Sequence, residues 1–218
     1  MLGYSYRDYY GIILTIINII NHILILFVTG YLLYLSGLKL EVLNVHVGLC
    51  VVGYVLLMSE AIMVLSEENL WSRIISHRAG NHFHWYLQCL GTSFNIAGIV
   101  VLFKSRETHF KSIHGILGIS SAAILSFLSL SGFTVLFSVK LNNLMRPIVS
   151  KCIHNFLGIT CYILGMIALC YGYRKKWILK YTGVGLVNLG TVITGIIIFI
   201  TIMRPVRSLV NQIKSISY

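Results

Sequence analysis

Long apolar runs separated by short polar connections form the dominant pattern of this chain. A helix needs roughly 20 mainly apolar residues to cross a bilayer, and six runs of about that size are bounded by charged or polar residues. They extend over about residues 11–36, 43–65, 84–103, 113–139, 152–172 and 181–203. Because they leave only short connections, the pattern predicts one all-α domain over residues 1–218, an integral membrane bundle of six helices.

The composition supports a membrane protein and narrows its partners. Of the 218 residues, 57% are hydrophobic and only 11% are charged, which is too little polar surface to cover a soluble globule. The net charge of +11 comes from Lys and Arg side chains at the predicted helix ends, where they face lipid headgroups. We therefore expect a lipid bilayer, and no nucleic acid, as the partner of these cations.

Four of the eight histidines fall in the first few residues of consecutive predicted helices. The second to fifth helices open with His46, His84, His114 and His154, the last two in the matching segments KSIHGILGIS and KCIHNFLGIT. Because consecutive membrane helices run in opposite directions, the first and third of these histidines share one membrane face. The second and fourth share the other. An ionisable side chain at membrane depth is costly and marks a candidate functional site, so the order predicts two functional histidine pairs.

Each pair could supply the two axial nitrogens of one haem iron, with the macrocycle between two helices. Each histidine is also followed on its own helix face, four or seven residues later, by a glycine that would leave room for a flat porphyrin. These glycines are Gly53, Gly91, Gly118 and Gly158. The absence of a CxxCH motif argues against covalent attachment. The pattern predicts two haems held between the four central helices.

Other polar residues inside the predicted helices attract more ordinary interpretations. Gln88 lies four residues after His84 on the same face, which makes it a candidate hydrogen-bond partner of that ligand. Asn155 is expected either to support the neighbouring histidine or to be a polar residue of the helix start. His22 has no partner at its depth in the sequence pattern, so it is expected to be hydrogen-bonded inside the bundle. Glu60 is expected to have a hydrogen-bond partner, with a propionate or proton-relay role as the alternative.

Several stretches resemble the cytochrome b561 family, and within it the short branch of transmembrane ascorbate-dependent reductases. They are NVHVGL and MSEAIMVLS in the second helix, FHWYLQ in the third, SIHGILGI in the fourth and CIHNFLG in the fifth. The resemblance covers roughly residues 40–172. It implies haem b between His46 and His114 near the non-cytosolic face, and a second haem b between His84 and His154 near the cytosolic face.

The resemblance also implies an orientation and a location. The Lys and Arg residues are divided almost evenly between the two sides, so charge alone leaves the orientation open. Members of the family have both termini in the cytosol, which implies the same for this chain. The membrane would be that of the endoplasmic reticulum, a vesicle or the cell surface, and relatives suggest a homodimer.

The activity that the resemblance implies is one-electron oxidoreduction from cytosolic ascorbate to monodehydroascorbate or a ferric chelate across the membrane. Many family members carry a lysine three residues before the third-helix histidine, whereas this chain has Asn81. Arg78, Arg146 and Lys151 are expected to supply the missing positive charge at the donor end. The residues expected to attract the acceptor at the other end are Lys104, Arg106, His109 and Lys111. Each of these cations could also anchor its helix among lipid phosphates.

Two other classes of protein fit parts of the sequence. A transporter or proton-relay protein would use intramembrane His and Glu, and its sequence would show helices broken by Gly or Pro at mid-membrane. The two prolines, Pro147 and Pro205, fall at predicted helix ends instead. In a membrane scaffold the four paired histidines would be a coincidence. A visible spectrum separates the classes, because reduced bis-histidine haem is coloured.

Overall fold

The computed structural model describes residues 6–66, 69, 74–109, 111–136 and 146–217. Six long helices account for most of this part of the chain, and all six are long and apolar enough to cross a membrane. They are α1 (Tyr6–Gly37), α2 (Val42–Met63), α3 (His77–Lys104), α4 (Ile113–Leu136), α5 (Pro147–Tyr173) and α6 (Lys176–Ser217). The middle of α2, Val51–Met58, is wound as a π-helix. The prediction of an all-α chain with six membrane-spanning helices is confirmed.

Four helices form a ring at the centre of the molecule. Helix α2 packs on α3, α3 on α4 and α4 on α5, and α5 closes the ring against the π-helical part of α2. Helices α1 and α6 contact each other and pack on the outside of this ring, α1 against α2 and α6 mainly against α5. In this arrangement α2 faces α4, and α3 faces α5, across the two diagonals of the ring.

The distribution of apolar side chains is that of a protein surrounded by lipid. Buried side chains such as Leu32, Val55 and Met166 fill the contacts between helices. Large apolar side chains also point outwards along the spans, including Ile23 at 59% and Phe199 at 66% exposure. Outward-facing apolar side chains are stable next to hydrocarbon, where the backbone polar groups are satisfied inside each helix.

The apolar runs locate the helices but not their ends. Helix α3 begins at His77, seven residues before the predicted start, and Ser76 Oγ caps it by accepting from the Ala79 N–H at 3.2 Å. Helix α5 begins at Pro147, which suits a first turn because proline has no N–H to leave unpaired. Both helices begin in polar residues before the apolar run. They can do so because a helix pairs its backbone N–H and C=O groups internally, in water as well as in lipid.

These longer helices change the position of two candidate ligands. His84 and His154 were expected in the first few residues of their helices, yet each lies seven residues after the observed first residue. His46 lies four residues into α2 and His114 one residue into α4. The expectation of a helix-start position is therefore wrong for the α3 and α5 pair, although both members of that pair lie at matching depth.

Helix α6 differs most from its predicted limits of 181–203. It is interrupted at Gly183, whose φ of 70° lies in the left-handed region that favours glycine. It then continues through Pro205 to Ser217, so the expectation that Pro205 lies at a helix end is wrong. Asn155 Nδ2 donates to Pro205 O at 3.0 Å, which joins this unusual turn to α5. The predicted residues 137–139 of the fourth helix lie outside the described residues.

Candidate metal centres

His46 of α2 and His114 of α4 face each other at one end of the ring. Their ring centroids are 6.3 Å apart and their planes are 86° from parallel. His46 Nδ1 donates to Gly98 O at 2.9 Å, and His114 Nδ1 donates to Ala168 O at 2.8 Å. The proton of each neutral ring therefore lies on Nδ1, where it is donated to a carbonyl oxygen. Nε2 of each ring is left unprotonated and able to bind a metal.

His84 of α3 and His154 of α5 face each other at the opposite end. Their centroids are 6.4 Å apart with planes 70° from parallel. His84 Nδ1 donates to Ala61 O at 2.7 Å. His154 Nδ1 is buried and has no hydrogen-bond partner among the described residues. The two pairs therefore share a spacing but differ in how firmly their rings are held.

The spacing of both pairs fits a shared metal ion. Two imidazole nitrogens on opposite sides of one metal, each about 2 Å from it, place the ring centroids about 6 Å apart. Within the described part of the chain, no group of three or more His, Cys, Asp or Glu side chains could hold a metal ion. Two nitrogens alone are the protein ligand set of an iron whose other four positions belong to a porphyrin.

Two glycines lie against the histidine rings, and two of the expected glycines stand next to open space. A Cβ added at Gly118 or Gly158 would meet no atom within 4 Å, so open space lies beside each. A Cβ at Gly172 would lie 3.3 Å from His114 Cε1, and one at Gly132 would lie 3.6 Å from His154 Cε1. The last two positions were missed from the sequence. A signal was present, because each stands 18 residues, or about five helical turns, after the histidine of its own helix.

Gly53 and Gly91 lie somewhere other than expected. A Cβ at Gly91 would be 3.1 Å from Gly53 O and 3.3 Å from Leu57 Cβ, and one at Gly53 would be 2.7 Å from the Asn95 amide. Instead of facing open space for a porphyrin, these glycines let α2 and α3 approach closely. A spacing of seven residues put them on the histidine face, but the two helices already touch at that depth.

Buried tyrosines and hydroxyls fill the ring between the two pairs. Tyr54 Oη is hydrogen-bonded to Ser121 Oγ, which donates to Cys161 O at 2.8 Å. Deeper towards the second pair, Ser59 Oγ and Tyr162 Oη share a hydrogen bond of 2.7 Å. All five side chains are buried. The two histidine pairs are thus separated by a packed interior.

His22 has partners that the sequence did not reveal. Its Nδ1 lies 2.7 Å from Glu60 Oε1, and its Nε2 lies 3.0 Å from Asn69 Oδ1. Asn69 Nδ2 donates to Met63 O, which fixes the amide oxygen towards the histidine. Because both partner atoms accept, the geometry suits a doubly protonated His22 paired with the Glu60 carboxylate. The expectation that Glu60 has a hydrogen-bond partner is therefore confirmed, as is the expectation that His22 is hydrogen-bonded inside the bundle.

The remaining predicted site residues divide between the two ends. Gln88 Oε1 is buried without a hydrogen-bond partner among the described residues, and the Nδ1 of His84 bonds to the α2 backbone instead. At the His84 and His154 end, the exposed cations are Arg78, Arg146 and Lys151. At the other end, Lys104, Arg106 and Lys111 are exposed, whereas His109 is half-buried and stacks on Phe103 with centroids 3.7 Å apart.

A polar cavity at the His84 and His154 end was also missed from the sequence. It has a volume of about 370 Å³ and lies between α1, α2 and α6, with Ile148 of α5 at its margin. Asn18, Arg204, Arg207 and Gln212 contribute to its lining. Asn18 lies inside the apolar run of α1, whereas the other three lie close together in the last part of α6, so only the packing of these two helices brings the four together.

Comparison with known proteins identifies relatives of this chain. The family model for eukaryotic cytochrome b561 matches residues 45–180. The chain is 28% identical over 151 residues to "Probable ascorbate-specific transmembrane electron transporter 1" of Oryza sativa subsp. japonica, covering 67% of this chain and 62% of the relative. It is 27% identical over 172 residues to "Transmembrane reductase CYB561D2" of Bos taurus, covering 77% of each. The chain thus spans less than two thirds of the rice relative. No solved structure gives a significant match.

Proposed function

Because this chain belongs to the eukaryotic cytochrome b561 family, we propose that it carries electrons across a membrane through two bis-histidine haem b sites. The donor is cytosolic ascorbate, and the acceptor on the far side is monodehydroascorbate or a ferric chelate. The observation that carries this proposal is the pair of imidazole couples, 6.3 and 6.4 Å between centroids, at opposite ends of one helix ring. Two relatives, named as a probable ascorbate-specific electron transporter and a transmembrane reductase, support the same oxidoreductase class.

Four histidines would hold the haems, His46 with His114 and His84 with His154. Haem b bound between two imidazoles would supply a one-electron centre without an open coordination position for oxygen or substrate. The protein fixes the tautomer of three of these rings through the carbonyls of Gly98, Ala168 and Ala61. A fixed tautomer keeps each Nε2 basic and correctly oriented, which is what a metal ligand requires.

The packed interior between the pairs has its own role. Tyr162 is completely buried, Tyr54 is 8% exposed, and their hydroxyls bond to Ser59 and Ser121. Satisfied hydroxyls cost little at membrane depth, whereas a water-filled gap would open a path for ions. We therefore assign these side chains the task of sealing the ring, so that electrons cross without protons or ions.

The two ends are assigned by kinship, because exposed cations lie at both. With both termini in the cytosol, the His84 and His154 pair lies near the cytosolic face, where exposed Arg78, Arg146 and Lys151 would attract anionic ascorbate. The group proposed for the acceptor end is Lys104, Arg106, His109 and Lys111. We further propose a homodimer in the membrane of the endoplasmic reticulum, of a vesicle or of the cell surface.

One observation favours a second function, a transporter or proton-relay protein. The His22 and Glu60 pair places two ionisable side chains within the spans, at 15% and 20% exposure. Such pairs mark proton or ion pathways in membrane transporters. A purified protein without haem absorbance would favour this alternative.

Reduction across a sealed membrane tests the proposed function. Protein reconstituted in liposomes receives ascorbate outside, with a ferric chelate trapped inside, and chelate reduction is followed optically. We expect reduction with the wild-type chain and none with His84→Ala. An impermeant chelate that stays ferric, although the protein contains haem and faces the donor, would contradict the proposal.

A further inference from the structure

Helices α4 and α5 carry matching segments 40 residues apart. The segments 111–132 and 151–172 both begin with lysine, have a histidine at the fourth position and end in glycine. The two helices pack against each other and, as consecutive membrane spans, run in opposite directions. When two equivalent helices pack antiparallel, they meet through equivalent positions. A contact made from α4 to α5 is therefore expected to recur from α5 to α4.

Reciprocal hydrogen bonds at the centre of the two helices confirm this local two-fold relation. Ser121 Oγ donates to Cys161 O at 2.8 Å, and Cys161 Sγ donates to Ser121 O at 3.3 Å. These two residues occupy the same position in the matching segments. The last glycines of the segments, Gly132 and Gly172, each lie against the histidine ring of the other helix. The surroundings of one histidine therefore predict those of the other.

One contact departs from the two-fold relation. His114 Nδ1 donates to Ala168 O at 2.8 Å. The residue of α4 equivalent to Ala168 is Leu128, so the relation predicts that His154 Nδ1 donates to Leu128 O. His154 Nδ1 is instead buried without a hydrogen-bond partner among the described residues. The fold thus has an equivalent acceptor for this ring, and something prevents the bond.

A serine hydroxyl lies at the acceptor that His154 would use. Ser131 Oγ donates to Leu128 O at 3.5 Å. A backbone carbonyl oxygen has two lone pairs, and inside an α-helix one of them accepts from the N–H four residues later. The second lone pair of Leu128 O is then open to one further donor. Ser131 and His154 therefore compete for it.

The equivalent position of α5 holds a side chain that does not compete. Tyr171 stands where α4 has Ser131, and its side chain is exposed. A serine hydroxyl in a helix readily turns back to a carbonyl of the preceding turn. A tyrosine hydroxyl stands at the far end of a rigid ring and does not reach a carbonyl of its own turn. The second lone pair of Ala168 O is therefore left to His114.

We propose that Ser131 is a positioning residue for the site of His84 and His154, here called the α3–α5 site, and that it competes with His154 for Leu128 O. The inference rests on the proposed function, because it concerns the haem that this pair would hold. Ser131 is the side chain that makes two otherwise equivalent histidine environments different.

The competition has a defined effect on an iron bound by His154. A hydrogen bond from Nδ1 raises the basicity of a ligand imidazole, which stabilises the more positive ferric iron. Hydrogen bonding to the ligands is one of the factors that set the reduction potential of a haem. With Leu128 O shared with Ser131, the α3–α5 site is more easily reduced than it would be with a full bond from His154 to that oxygen.

Reduction potentials of the purified, haem-loaded chain test the inference. An optical redox titration resolves one one-electron step for the α3–α5 site and one for the site of His46 and His114, here called the α2–α4 site. The titration of His46→Ala shows which step belongs to which site, because this variant keeps both ligands of the α3–α5 site.

Two variants move the competing hydroxyl. Ser131→Ala removes it from the α3–α5 site, and Tyr171→Ser introduces one at the equivalent position beside the α2–α4 site. The matched control is Ser126→Ala. It removes another hydroxyl of α4, which donates at 2.8 Å to a carbonyl in the preceding turn of the same helix.

We expect Ser131→Ala to lower the equilibrium constant for reduction of the α3–α5 site about threefold or more, which is ~28 mV at ~59 mV per factor of ten. The step of the α2–α4 site should not move. Tyr171→Ser should act in the opposite direction on the other site, by raising the equilibrium constant for reduction of the α2–α4 site alone. Ser126→Ala should leave both steps unchanged.

An unchanged or raised potential of the α3–α5 site in Ser131→Ala would overturn the inference. If Ser131→Ala loses its haem, Tyr171→Ser decides, and the absence of a rise at the α2–α4 site would overturn the inference. A wild-type chain without haem would contradict the proposed function and this inference with it. Two haem steps in the wild type that respond to neither variant would contradict this inference alone.

Discussion

The two histidine pairs have nearly the same spacing but different supports. In the His46 and His114 pair, both Nδ1 atoms donate to backbone carbonyls, at 2.9 and 2.8 Å. In the other pair only His84 does so, while His154 Nδ1 has no partner among the described residues. A hydrogen bond at Nδ1 fixes the tautomer and orientation of a ligand ring and raises its basicity. We therefore expect His154 to bind the metal most weakly of the four histidines.

The surroundings of the pairs differ in the same direction. The less supported pair adjoins the polar cavity, and Asn155 links its helix to α6. It also lies seven residues into its helices, whereas the other pair lies close to the starts of α2 and α4. At one end of the ring both imidazoles are held by backbone carbonyls, and at the other end the helix of His154 is joined to α6, outside the ring. This asymmetry suits a donor that binds at only one end.

Loss of a ligand histidine has the largest expected effect on this comparison. His84→Ala and His154→Ala should each remove the same haem and leave the other, because each takes away one axial nitrogen of a two-nitrogen site. His46→Ala and His114→Ala should remove the other haem. Haem content and difference spectra of the four variants check the pairing. Two variants of one pair that retain different haems would show that the pairing is wrong.

Disruption of the ion pair outside the ring is expected to act on one end only. Glu60→Gln leaves the charge of His22 without its partner and lies next to Ala61, which anchors His84. Removing one partner of a buried pair costs about 3 kcal/mol, and we discount this to roughly 1–2 kcal/mol for the partial exposure here. Thermal melting should show the loss, with earlier haem release from the His84 and His154 site. The control is Glu41→Gln at an exposed position. Equal haem release from both sites would contradict the local coupling.

A bulky side chain at a glycine that contacts a ligand ring should weaken haem binding at the site of that ring and not at the other site. Gly172→Leu pushes against His114, where a Cβ already comes within 3.3 Å, so haem affinity at the His46 and His114 site should fall about tenfold. Gly132→Leu should affect the His154 site instead, and less, because its contact is 3.6 Å. Haem titration of apoprotein measures both. The opposite assignment of the two effects would contradict the structure.

The smallest expected effect concerns the link between α5 and α6. Asn155→Ala removes the hydrogen bonds to Pro205 and Gln212, each worth about 1 kcal/mol. We expect haem at the His84 and His154 site to dissociate a few times faster, with no change at the other site. Ser126→Ala is a suitable control, since it removes a hydrogen bond inside α4. Identical dissociation rates for Asn155→Ala and wild type would show that the link does not support His154.

The histidine pairing could be predicted from the sequence because it depends only on helix order and alternating direction. The helix ends could not, since α3 and α5 continue into polar residues that hydropathy does not distinguish from loops. The matched segments around His114 and His154 also contained the information for Gly132 and Gly172, at a spacing of 18 residues. Reading that spacing required knowing that the two helices lie side by side and antiparallel.

Contacts that depend on how the helices are rotated relative to one another could not be predicted from the sequence. Nothing local indicates that His22 of α1 meets Glu60 of α2, because helices α1 and α2 could pack with either face. The same limitation applied to Gly53 and Gly91, which lie on the predicted face but at the depth where α2 and α3 touch. Prediction of the polar cavity would have required the relative positions of four helices, since all four contribute to its lining.

The ratio of haem to polypeptide in the purified wild-type chain tests the central claim most directly. It is measured by haem extraction against quantitative amino-acid analysis after expression with ample haem. Two haems per chain, each lost separately when its own pair of histidines is replaced, is the predicted result. One haem per chain, or none, would contradict the account.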